Sequence, residues 1–117
     1  MRAHLTAARL AFIILLTMLA YPMIAAADIK TGQDLIQMLN AAREKDRIEA
    51  KIFIGNILFD WEGKSHCKPP QATVGQAVAI TQKFLNENPK IWHYEAAAIV
   101  GAALGDAWPC PQKKESK

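Results

Sequence analysis

The sequence predicts an all-α protein: a small bundle of about four helices, stapled by one disulfide, after an N-terminal signal peptide. Three observations carry this expectation. Apolar residues recur at three- and four-residue spacing in four segments. Runs that alternate apolar and polar residues, which would read as strands, are absent. The hydrophobic share, 51% of 117 residues, is heaviest in the first 27 positions and leaves an ordinary globular composition behind it. That length suits one small domain and excludes a multidomain enzyme. A mean hydropathy of +0.02 is too polar for a multi-span membrane protein.

Met1 to Ala27 reads as a secretory signal peptide. Arg2 and Arg9 give a positive start, Leu10 to Ala20 is an apolar run broken only by Thr17, and Tyr21-Pro22 ends it. Ala25-Ala26-Ala27 supplies the small residues for cleavage before Asp28. The run is shorter than the ~20 residues of a bilayer span, so no membrane attachment is expected after cleavage. The expected mature domain is 28–117. It carries 12 basic and 11 acidic residues, which leaves no basic stripe for nucleic acid. Lys113 to Lys117 reads as a frayed end.

About 90 mature residues bury a modest core, so a covalent staple is useful. The two cysteines, Cys67 and Cys110, are expected to pair in the oxidising compartment that an exported chain meets.

The first helix opens at Thr31, with Asp34 three residues later suiting the positive helix end, and places Leu35, Met38, Leu39 and Ala42 on one face. Arg43 to Asp46 reads as its solvated end. The second helix is expected from about Ile48 to Trp61. Ala50, Phe53, Ile54, Ile57, Leu58 and Trp61 form one apolar stripe, and Ile48, Ile52, Gly55 and Phe59 a second. A helix apolar on two faces should be central or partner-bound. Gly55 within it suggests a close helix backbone.

Glu62 to Pro70 reads as a loop, with Gly63 stopping the second helix and the paired prolines delaying the third. Thr73-Val74-Gly75-Gln76 has capping-box spacing. Val74, Ala77, Val78, Thr81, Phe84 and Leu85 then form the buried face, and Asn86 to Pro89 ends it. The fourth helix is expected from about His93 to Ala107. Ala96, Ile99, Val100, Ala103 and Leu104 make its core face, and Pro109 follows directly.

Catalytic chemistry is thin in this chain. Ser65 and Ser116 lie in no nucleophile-elbow pattern. His66 adjoins Cys67 in sequence, but thiol catalysis needs a free cysteine. Cys67, Cys110, His66 and His93 match no zinc spacing. No phosphate-binding glycine loop is present, and no cofactor is expected. The aromatic cluster Trp92-His93-Tyr94, with Trp61 and Trp108 near other helix ends, either plugs the bundle ends or forms a protein-binding surface.

From Cys67 onward the spacing of many elements resembles one family. Cys67-Lys68-Pro69-Pro70, Thr73-Val74-Gly75-Gln76, Lys83-Phe84-Leu85, Asn88-Pro89, His93 and Ala107-Trp108-Pro109-Cys110 follow in order. This pattern resembles the Tai/Rap-type immunity proteins of type VI secretion systems. It covers about 44 residues well and extends weakly back through Phe53 to Asp60. The resemblance implies a small helical periplasmic protein, not an enzyme, that binds and inhibits a peptidoglycan amidase effector. It also carries the family's cysteine pair onto Cys67 and Cys110. A second cysteine pair found in many members is absent, and Tyr94-Glu95 stands where the following helix often starts with proline.

The candidate partner-binding residues are Lys64, Ser65, His66 and Lys68 on the loop, with Trp92, His93 and Tyr94 as anchors. They are chosen by exposure and residue type. The second apolar face makes a homodimer possible. Other readings are a small periplasmic acid chaperone, a helical envelope-assembly subunit, and an enzyme or metal carrier that would need free thiols.

Overall fold

The computed structural model describes residues 28–112, so the expected signal peptide, 1–27, and the last five residues lie outside the described residues. Four helices follow in order: α1 (Gly32–Leu39), α2 (Glu44–Asp60), α3 (Val74–Glu87) and α4 (Ala96–Ala107). A short 3-10 turn, Pro89–Ile91, precedes α4. No strand occurs among the described residues, and two isolated bridges join Thr31 to Glu95 and Glu62 to His66.

Two helix starts carry full capping boxes. The Thr31 hydroxyl accepts from Asp34 N while the Asp34 carboxylate accepts from Thr31 N. Thr73 and Gln76 make the same exchange at α3. Each box satisfies backbone donors that a helix start leaves without partners.

The second helix begins four residues earlier than expected. Arg43 to Asp46 is not the solvated end of α1; Glu44 to Asp46 forms the first turn of α2. Arg43 Nε donates to Asp46 at 2.9 Å, and Arg47 donates to the carbonyls of Ala41 and Ala42 at 2.6 and 2.7 Å. These side chains fasten the corner between the helices, and Glu44 and Asp46 suit the positive end of α2. Ala42, expected on the apolar face of α1, is exposed in that corner.

The fourth helix begins three residues later than expected, at Ala96. Backbone crossing is the reason. Gly32 N and Gln33 N, at the start of α1, donate to the carbonyls of Tyr94 and Trp92 at 3.0 and 2.9 Å. Ala96 N, at the start of α4, donates to Lys30 O at 2.9 Å. Two helix starts thus supply each other's backbone partners, and residues 92–95 turn aside to do so.

The core takes Leu35 and Leu39 from α1, Ile54 and Leu58 from α2, Val78 and Leu85 from α3, and Ile99, Val100 and Leu104 from α4. One stripe of α2 fills this core. The other does not: Ile48, Ile52 and Phe59 are 46%, 57% and 58% exposed. At 100° per residue these three lie within about 40° of one another, on the side of α2 away from Ile54. Gly55 meets the side chain of Val74, with a Cβ at that position 3.4 Å from it, and not the expected helix backbone.

Cys67 and Cys110 are disulfide-bonded and tie the end of α4 to the loop before α3. Trp61, Trp92 and Trp108 are half-buried and pack against the core. Trp92 Nε1 also donates to Leu85 O at 2.7 Å.

Candidate functional site

The segment from Trp61 to Lys68 leaves α2 as a tight turn. Lys64 N and Ser65 N both donate to Trp61 O, at 3.0 and 3.1 Å, and Gly63 N donates to His66 O at 2.8 Å. Gly63 holds φ at 80°, which favours a residue without Cβ.

Of the seven residues expected to contact a partner, His66 departs furthest from the expected exposure. Its side chain is fully buried. Nε2 lies 2.8 Å from Leu58 O, one of the carbonyls that the last turn of α2 leaves without a helical donor. A carbonyl only accepts, so Nε2 carries the hydrogen, and in the neutral ring Nδ1 accepts from Ser65 Oγ at 2.6 Å. The Glu62 carboxylate is 3.6 Å from Nε2 and accepts from Lys68 N at 3.0 Å. Serine, histidine and glutamate therefore meet here, but both ring nitrogens are engaged and the ring is closed to solvent. The cluster is a structural tie.

The remaining candidates divide between two places. Lys64 is exposed, while Ser65 and Lys68 are half-buried. Lys68 Nζ stands 5.7 Å from the centre of the Phe59 ring, a cation–π distance that joins the loop to the outer stripe of α2. Ile52 and Ile48 continue that stripe along the helix. These three apolar residues were legible in the sequence as a second face, yet nothing local marked them as the open one.

His93 and Tyr94 are exposed on the turn before α4, with ring centres 4.2 Å apart. His93 lines a depression of about 420 Å³ with Ile29, Phe53 and Ala97. Trp92, between them and the core, is held by its bond to Leu85 and is an anchor of the fold. A second, mostly apolar groove of about 430 Å³ runs between Pro69, Ile80 and Trp108.

Both thiols are consumed by the disulfide, which removes the groups that thiol catalysis or a cysteine-based metal site requires. Among the described residues, no three His, Cys, Asp or Glu side chains are grouped to hold a metal ion, and no helix is long and apolar enough to cross a membrane. What the surface offers is an apolar ridge with a basic end, suited to contact with another protein.

A family model of Rap1a immunity proteins matches residues 31–110, from the cap of α1 to the second disulfide cysteine. No curated protein matches the chain.

Proposed function

Since the chain belongs to the Rap1a immunity protein family, we propose that it acts in the periplasm, after signal cleavage, by binding and inhibiting a peptidoglycan amidase effector of a type VI secretion system. The observation that carries the binding face is the open stripe of α2. Ile48, Ile52 and Phe59 expose large apolar side chains in one line, and Lys68 extends that line onto the loop. A helix face left apolar in a chain with so small a core costs solubility unless a partner covers it. Lys64 adds an exposed charge on the same loop, as expected of the rim of an interface.

His93 and Tyr94 form a second exposed aromatic contact candidate. A second copy of this chain is the other occupant that the α2 stripe would accept.

The test uses the mature chain, exported and oxidised, against purified type VI peptidoglycan amidases of the source bacterium. Stoichiometric binding and loss of peptidoglycan cleavage are expected with one of them. Phe59→Asp and Ile52→Asp should weaken that binding by at least about tenfold, the scale of a charge forced into an apolar contact. Full amidase activity in the presence of excess mature chain would overturn the reading. Unchanged binding by both variants would move the face elsewhere.

A further inference from the structure

The turn that carries Lys64 is held from three sides. Trp61 lies on α4 at Gly101, where a Cβ would come within 3.0 Å of its ring. The Ser65 carbonyl lies on Gly105, where a Cβ would sit 2.5 Å from the oxygen. The His66 ring is inserted beneath α2 and bonds Leu58 O. The far end is closed by the disulfide and by Cys67 N, which donates to Trp108 O at 2.8 Å.

We propose that Gly105 and His66 are positioning residues for partner recognition, pre-setting the turn so that Lys64 and Lys68 meet the partner in one fixed arrangement with Phe59. This rests on the binding face proposed above. The disulfide fixes only Cys67, at the end of the turn. The two neighbouring residues that precede it, Ser65 and His66, are held by packing and hydrogen bonding. No side chain fits at Gly105 unless the Ser65 carbonyl moves, and that movement carries Lys64 with it. Among the described residues, Leu58 O has no other side-chain donor than His66. A turn that must find its bound shape on encounter binds more weakly in proportion to how rarely it visits that shape, whereas a preformed turn does not.

The experiment compares the exported, oxidised mature chain with Gly105→Ala, His66→Ala, His66→Gln and a Cys67→Ser/Cys110→Ser double variant. Ala102→Ser, on the exposed side of α4, is the control. The probe is the type VI peptidoglycan amidase that the parent retains. Association and dissociation rates are measured at a temperature where circular dichroism shows every variant folded. Order in the turn is read separately, from the rate of tryptic cleavage after Lys64.

Gly105→Ala and His66→Ala should each lose about tenfold or more in association rate, with little change in dissociation, because only the competent fraction is reduced. Cleavage after Lys64 should accelerate in both. His66→Gln, which keeps an N–H for Leu58 O, should recover most of the association rate. The double cysteine variant should stay within a few-fold of the parent. Parent-like association by Gly105→Ala and His66→Ala would overturn the proposal, as would a double cysteine variant that loses as much as they do. Phe59→Asp and Ile52→Asp leave the Gly105 and His66 contacts intact, so parent-like binding by both would overturn the face and with it the arrangement with Phe59. Weakened binding by them beside parent-like association by Gly105→Ala and His66→Ala would overturn the positioning alone. A parent that retains no amidase overturns both.

Discussion

His66 Nε2 donates to the Leu58 carbonyl at 2.8 Å across eight residues of sequence, and this bond ends α2 and seats the following turn at once. Truncation therefore has two costs. It leaves a buried carbonyl without a donor and opens a cavity beneath α2. His66→Ala should destabilise the domain by roughly 3 kcal/mol, and His66→Gln by clearly less, as measured by urea unfolding. Equal losses in the two variants would show that neither the volume nor the N–H that glutamine keeps replaces the imidazole ring at this site.

The disulfide closes a loop with a sequence separation of 43. In the chain-entropy account such a cross-link contributes roughly 4 kcal/mol by restricting the unfolded chain. Reduction, or Cys67→Ser with Cys110→Ser, should lower the urea midpoint accordingly while far-ultraviolet circular dichroism of the folded state persists. A midpoint unaffected by reductant would contradict that account.

Thr81 is fully buried on α3, and its hydroxyl has no hydrogen-bond partner among the described residues. Thr81→Val keeps the shape and removes the desolvated oxygen. Stability should rise by about 1 kcal/mol, seen as a higher Tm. A fall in Tm would mean that the hydroxyl is satisfied in solution.

Asp34 is held below the usual carboxylate range, chiefly by the backbone N–H groups of Thr31 and Lys30 that donate to it. A carboxylate whose pKa is depressed by folding stabilises the native state most at pH values above its unfolded pKa. That contribution is lost as pH falls through the unfolded and then the folded value. The stability difference between the parent and Asp34→Ala should therefore be full near pH 7 and shrink below about pH 4, the unfolded aspartate value. Urea unfolding at several pH values measures it, and a difference independent of pH would remove the ionic part of the cap.

Much of the fold was legible because its signals are local. The capping boxes at Thr31 and Thr73 announce two helix starts from four residues each. The core faces of α3 and α4 follow from spacing alone. The helix boundaries that differed are those set by distant partners. Residues 92–95 carry helix-compatible side chains, yet the carbonyls of Trp92 and Tyr94 serve the start of α1, some sixty residues earlier in the chain. The early start of α2 has a local cause, in the side chains of Arg43 and Arg47.

The candidate site divided in the same way. Lys64 is exposed, as its residue type and loop position suggested, and His93 and Tyr94, expected at the start of the fourth helix, are exposed on the turn before it. His66 has the composition of a surface loop residue, and its burial depends on a carbonyl at the end of α2.

The sequence by itself determined an all-α chain of four helices, the residues that cap and fill them, and a cysteine pair suited to export. Those features arise from backbone hydrogen bonding and side-chain periodicity within one segment. Tertiary structure alone decided which apolar stripe of α2 enters the core and which stays open at Ile48, Ile52 and Phe59. Both stripes satisfy the same helical period, so only the arrangement of the other three helices could choose between them. That choice placed the apolar ridge beside Lys68 and drew His66 inside.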